Sequence, residues 1–212
     1  MTKTNNIAAF NQNTQEYDQW FEKHSTIYQS EILALKKAVP INKKGVEIGS
    51  GTGRFSLPFK INIGVEPSYN MSKLAEQKGM TVINAVAENL PFHNHSFDFA
   101  LMVTTVCFLS DIPKSFSEVH RILKPNGEII LAIIDKNSEL GRKYEKEKSS
   151  NKFYSDAHFH STEELTAILQ QSHFQNFQYW QTLIKLNENE IEKPEKGYGQ
   201  GSFVVIKAQK NN

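Results

Sequence analysis

Apolar residues recur at helical intervals from Tyr17, Trp20 and Phe21 through Ile27, Tyr28, Ile32, Leu33 and Leu35, which predicts a helix over residues 14–39 that Pro40 ends. The pattern then changes to short apolar segments separated by polar, periodic ones. Strands are predicted at 45–49 (GVEIG), 61–66 (INIGVE) and 80–85 (MTVINA). FDFALMVTTV (97–106) is continuously apolar rather than alternating, which marks a strand buried on both faces, and EIILAIID (128–135) is another.

Three helical stretches lie between or after these runs. Residues 68–79 open with Ser68 as an N-cap and close at Gly79. Residues 111–124 place Phe116, Val119, Ile122 and Leu123 on one face and stop before Pro125-Asn126-Gly127. Residues 161–173 start with a capping-box pattern and continue through Leu165, Ile168 and Leu169. The KYEKEK stretch (143–148) reads as a solvated helix face. Alternation of strand and helix predicts βαβ units. Residues 174–184 and 201–209 are strand-like with only the polar loop 187–200 between them, so they should pair antiparallel.

Composition narrows the class. At 212 residues the chain suits one substantial core, and a single domain over 1–212 is expected. Lysine plus arginine (24) nearly cancels aspartate plus glutamate (23), which disfavours a protein devoted to a nucleic-acid backbone. The N-terminus lacks a signal-peptide core, and no run approaches the roughly 18 apolar residues of a membrane span. A cytoplasmic location is expected. The lone Cys107 cannot make an internal disulfide and, set in ALMVTTVCFL, reads as a buried core thiol.

Chemistry concentrates in VEIGSGTGRFS (46–56). A phosphate loop needs a second glycine five residues after the first, followed by Lys-Ser/Thr; starting from Gly49 that place holds Arg54 and the motif fails. The dinucleotide fingerprint G-x-G-x-x-G fails at Arg54 or Ser56, where its third glycine would let helix and strand pack closely. What stands is E-x-G-x-G-x-G: Glu47, Gly49, Gly51 and Gly53.

With that turn the chain resembles the class I S-adenosylmethionine (SAM)-dependent methyltransferases, in particular the small bacterial type. The resemblance runs from about residue 14 to the last strand. GVEPS sets Glu66 at the end of the second strand, AVAENLPF contains Ala87 and Glu88, SFDFALMVTTVCFL leads to Thr104 and Thr105, and EVHRILKPNGEIIL resembles the helix-turn-strand that follows. It implies a Rossmann-like, doubly wound, seven-stranded and mostly parallel sheet with an antiparallel last strand, in three α/β/α layers. It also implies SAM as cofactor, S-adenosylhomocysteine as product, and particular roles. Glu47 orients the turn, Gly49, Gly51 and Gly53 admit the cofactor, and Glu66 accepts from both ribose hydroxyls. Pro67 and Met71 border the adenine, Ala87 and Glu88 meet its edge, Thr104 and Thr105 form the lip where donor and acceptor meet, and Tyr17 reaches the cofactor carboxylate. Two departures stand out: Val86 where the family has an aspartate touching the adenine amine, and Asn126 in the usual Pro-Gly-Gly turn.

Methyl transfer from a sulfonium is an in-line displacement of an already activated group, so alignment and water exclusion come first. Residues 1–40 are expected to form a helical lid and 136–160 an insert capping the acceptor site. The insert carries Tyr144, Phe153, Tyr154, His158, Phe159 and His160. Candidates for direct participation are Tyr17, Tyr154 and His158. His158 and His160 alternate, but no acid or cysteine set accompanies them, so no metal site is expected; His93 and His95 read as loop residues. The acceptor expected is a small molecule with a nitrogen or oxygen nucleophile, an amine included. A SAM-type binder without transfer and an RNA or protein methyltransferase stand as alternatives.

Overall fold

The computed structural model describes residues 4–187 and 189–211. The first three residues of the expected lid, one position of the 187–200 loop and the end of the 1–212 domain lie outside them. Eight strands form one sheet: β1 (Gly45–Ile48), β2 (Ile63–Val65), β3 (Thr81–Ile83), β4 (Phe97–Val103), β5 (Leu123–Ile134), β6 (Phe174–Thr182), β7 (Glu195–Lys196) and β8 (Phe203–Lys210). Their order is β3-β2-β1-β4-β5-β8-β6-β7. The pairs from β3 to β5 are parallel, while β8 runs antiparallel to both β5 and β6. The fold is the mixed, mostly parallel α/β sheet the resemblance implied. The polar 187–200 segment adds the eighth strand, a two-residue edge pairing Trp180 with Lys196 that no period-2 pattern announces.

Among the described residues seven α-helices surround the sheet: α1 (Thr4–Gln12), α2 (Thr14–Lys23), α3 (Ser25–Ala38), α4 (Tyr69–Gln77), α5 (Ile112–Ile122), α6 (Glu139–Glu147) and α7 (Thr162–Gln171). The single helix expected over 14–39 is two. His24 leaves helical geometry (φ −112°, ψ 43°) and its ring stacks on Trp20, with centroids 4.6 Å apart. The helix after the glycine turn shrinks to one 3-10 turn, Leu57–Phe59, because Pro58 and the early start of β2 leave no room for more.

Strand alternation sorts the core onto two faces. Ala100 and Met102 of β4, with Ile129 and Leu131 of β5, pack against Phe116, Val119 and Ile122 of α5 and Leu165 and Leu169 of α7. Phe99 and Leu101, with Ile130 and Phe203, face the other way onto Phe21 of α2 and Leu35 and Ala38 of α3. The unbroken apolar run of β4 therefore serves both layers. The strand order reverses between β1 and β4, and a doubly wound sheet opens its ligand crevice at the carboxyl ends of the strands on either side of such a reversal.

Asp135, just past β5, pins both ends of the 136–160 insert. Its carboxylate accepts from the Asn137 amide (2.8 Å) and from the amide and hydroxyl of Thr162 (2.9 and 2.6 Å). Ser161 and Glu164 complete a capping box on α7. Among the described residues, no helix is long and apolar enough to cross a membrane.

Candidate active site

The turn after β1 is built from three left-handed glycines with three different surroundings. A side chain on Gly49 (φ 74°) would collide with Thr105 at 2.4 Å, and one on Gly53 (φ 81°) with the Met80 sulfur at 2.6 Å. A Cβ on Gly51 (φ 52°) would meet only the Tyr17 ring, at 3.6 Å. Gly49 and Gly53 thus serve packing of the turn, while Gly51 turns bare backbone toward open space. Gly49 and Gly51 line a cavity of about 180 Å³ at the carboxyl ends of β1, β2 and β4; Glu47 and Gly53 stand behind its wall.

Glu66 anchors that cavity. Its carboxylate accepts from the Gly51 amide (2.9 Å) and the Ser68 amide (2.8 Å), fixing the turn to the end of β2. Burial pushes its carboxyl up while the two amides hold it down. Each oxygen keeps an acceptor position for a vicinal diol. Glu47 lies beneath, fully buried, and takes the Ser56 hydroxyl; burial pushes it up to about 8, against that hydrogen bond, and the nearby Glu66 adds to the shift.

Pro67, Met71, Ala87, Glu88, Thr104 and Thr105 line the same cavity. Glu88 accepts from the Ser110 amide (2.7 Å) and the Asp111 amide (3.2 Å), so it also fastens the entry to α5. Val86, 44 % exposed, lies on the rim. Thr104 holds φ 48°, unusual for a β-branched residue, and this conformation ends β4 three residues before the expected boundary. The thiol of Cys107 is half-buried on the short turn that follows rather than in the core, and donates to the Thr104 carbonyl (3.3 Å).

A second cavity of about 460 Å³ lies beside the first, walled by α2, α3, α6 and residues 151–154. Tyr17, Thr104 and Tyr154 line both. Burial raises the Tyr17 and Tyr154 hydroxyls far above the ordinary phenol range, which keeps both protonated. His158 does not join them. Its side chain is exposed, lines neither cavity, and its amide bonds the Cys107 carbonyl (2.8 Å). In an extended segment alternate residues share a face, yet the turn at 151–155 and the bond to Cys107 rotate the chain so that His160, paired with Glu164 (3.7 Å), faces inward toward a small 20 Å³ space.

Helix α2 is fastened over the glycine turn by Asp18. Its carboxylate accepts from Thr52 Oγ1 (2.6 Å), from Arg54 Nε (2.8 Å) and Nη2 (2.6 Å), and from Lys78 Nζ (2.6 Å). Burial opposes the charge, but the donors from Arg54, Lys78 and Thr52 win and hold its carboxyl down at about 2. Arg54 was visible in the sequence only as the residue that spoils two motifs. Ile7 and Phe10 of α1, Phe108 and Glu31 also line the two cavities without having been singled out. Glu31 could have been found: with Ile27 and Leu35 it stands at i, i+4 spacing inside the apolar stripe of α3.

The sheet order, the bare Gly51 backbone and the buried Glu66 at the end of β2 are those of a class I SAM-dependent methyltransferase, and the chain belongs to that family. Residues 46–131 match the family described as "Methyltransferase domain". The chain is 47% identical to a Thermotoga maritima SAM-dependent methyltransferase of known crystal structure, described as a "possible histamine N-methyltransferase". That match covers 96% of this chain and 99% of that one with a TM-score of 0.93. An uncharacterised protein of Methanocaldococcus jannaschii is 45% identical over 209 residues, 96% of this chain and all of the relative. A Haemonchus contortus phosphoethanolamine N-methyltransferase with SAM bound shares the fold at 18% identity (TM-score 0.62, 86% of this chain and 52% of that one). The protein is thus an enzyme whose cofactor is SAM.

Proposed function

We propose that the protein methylates a nitrogen or oxygen nucleophile of a small molecule held in the 460 Å³ cavity. The observation that carries this reading is the shared wall: Tyr17, Thr104 and Tyr154 face both cavities, so an acceptor in the second meets the contents of the first there. SAM, when bound, supplies a methyl group on a positively charged sulfur. Glu66 would accept from the ribose hydroxyls and, through its bond to the Gly51 amide, hold the turn against the cofactor. Ala87, Met71 and Pro67 would shelter the adenine, and Glu88 would fix the loop that closes on it.

At the shared wall the protonated Tyr17 and Tyr154 hydroxyls can donate hydrogen bonds but cannot act as bases near neutral pH. Positioning and dryness are therefore what the chain provides. Phe21, Phe55, Trp20 and Phe153 exclude water, and well-oriented reactions gain roughly 7–11 kcal/mol from alignment alone. The acceptor lone pair forms the new bond to carbon as the carbon–sulfur bond breaks onto sulfur. The acceptor proton leaves to solvent afterwards, because no base lines the wall. The relative described with histamine puts a nitrogen acceptor first.

The test is incubation with methyl-labelled SAM and a fractionated small-molecule extract, followed by identification of the labelled product. Label transferred to a small molecule is the expected result. Cofactor bound tightly with no transfer to any fraction would mark a binder instead, and transfer only to added RNA or protein would move the acceptor class.

A further inference from the structure

Glu31 is the one feature of the second cavity that neither the fold nor the cofactor explains. It sits on α3 and is 5 % exposed, and it lines the second cavity but not the first. Among the described residues its carboxylate has no hydrogen-bond or ion-pair partner, although every other buried carboxylate in and around the site has at least one. Burial alone pushes it up to about 8. An unpartnered buried carboxyl costs free energy, which a hydrogen-bonding or cationic group supplied from outside the chain offsets.

The surroundings say what that something is. No group of three or more His, Cys, Asp or Glu able to hold a metal occurs among the described residues, so a metal ion has no further ligands there. The other charged or titratable groups of the cavity are Glu16, Glu139, Lys143, His24, Tyr17, Tyr144 and Tyr154. Glu16 is exposed and already paired with Lys152 (2.7 Å), and Glu139 and Lys143 lie exposed at the cavity's α6 edge. Among the described residues, the fully buried part of the cavity lining therefore carries one carboxyl group and no lysine or arginine. Trp20, Phe21 and Phe55 line the same space, and the negative faces of aromatic rings favour a cation beside them.

We infer that Glu31 binds an ammonium group of the methyl acceptor, so that the substrate class is an amine with an aromatic or apolar body. This rests on the reading of the second cavity as the acceptor site. Because Glu31 belongs to that cavity alone, its partner group is held on α3 while the remainder of the same molecule reaches the wall of Tyr17, Thr104 and Tyr154. The carboxylate selects for positive charge, and the aromatic walls select for the body that carries it.

The experiment is calorimetric titration of the full chain, with and without S-adenosylhomocysteine, using arylalkylamines (2-phenylethylamine, tryptamine, histamine) and the hydroxyl analogue of each. At least one amine should bind ten-fold or more tighter than its alcohol. Glu31→Gln should abolish that preference, Glu31→Asp should restore part of it, and affinity for S-adenosylhomocysteine should stay within about two-fold throughout. Alcohols that match or beat every amine, or a preference that survives Glu31→Gln, would overturn the assignment. Unfolding supplies an independent readout. Glu31→Leu should raise the denaturation midpoint of the ligand-free protein, since it removes a buried polar group that has no hydrogen-bond partner among the described residues; a fall would give Glu31 a structural role and overturn the proposal. A protein that fails to bind S-adenosylhomocysteine but keeps a Glu31-dependent amine preference would sink the methyltransferase reading alone.

Discussion

Replacing Asp18 by asparagine tests whether α2 is latched to the glycine turn electrostatically. The carboxylate accepts four hydrogen bonds, three of them from Arg54 and Lys78, whereas an amide oxygen of the same shape carries no charge to hold those cations. Its carboxyl sits at about 2 against an ordinary 3.8. At about 1.4 kcal/mol per pKa unit, the ionised form is favoured by folding by about 2 kcal/mol. The folded-state value lies below the unfolded one, so this stabilisation is fully present above about pH 4 and is lost as pH falls toward about pH 2. Urea unfolding of both proteins across that range is the assay. Near neutral pH the variant should be less stable by about 2 kcal/mol, with the gap closing in acid. Arg54→Ala should cost a similar amount, and the double variant less than the sum, because both remove one latch. A gap that stays constant down to about pH 2, or additive losses, would refute the reasoning.

Glu66→Ala removes an acceptor that both ties the turn and faces the cofactor cavity, so SAM affinity measured by calorimetry should fall by about 10- to 100-fold, the worth of one or two hydrogen bonds to a charged group; unchanged affinity would dismiss its role. Gly51→Val places a β-branched residue at φ 52° and fills the space beside Tyr17, so cofactor binding should be lost while circular dichroism still reports the fold. Glu47, pushed up to about 8 by burial, is protonated in the folded chain where the unfolded chain is ionised. Stability should therefore decline as pH rises from about 4.5 to about 8, and Glu47→Gln should flatten that part of the melting-temperature profile. Phe116→Ala, at a fully buried position of α5, should cost about 3–5 kcal/mol in chemical denaturation without changing which ligands bind.

Legibility in the sequence followed the range of the interactions. The two-faced strand β4 and the capping box of α7 are written in adjacent residues; the capping box appeared where expected, and β4 began where expected but stopped three residues early at Thr104. The glycine turn was equally legible as a motif, but the separate reasons for its glycines were not, since Thr105 and Met80 lie far along the chain. The break at His24 depends on the ring stacking back on Trp20, which an apolar period cannot signal. The second cavity was hidden for the same reason: Trp20, Glu31, Tyr144 and Leu183 meet only after the sheet has brought α2, α3, α6 and the end of β6 together. His158 shows the opposite failure, a chemically suggestive residue that the local chain path turns to the outside.

Arg54 links these strands of reasoning. In the sequence it excludes a dinucleotide, because the third glycine of that fingerprint must let a long helix pack closely on the strand, and here no such helix follows the turn. Arg54 packs instead against α2, whose Phe21 ring lies 5.8 Å from the guanidinium while Asp18 grips it from the same helix. One turn of α2 thus carries Asp18, which holds the glycine loop, and Tyr17, which faces both cavities. Asp18 and Tyr17 are neighbours in sequence, so the contacts that fasten α2 to the glycine turn also set the place of Tyr17 at the shared wall. The residue that disqualifies one cofactor is therefore the one that ties α2, and with it Tyr17, to the glycine turn.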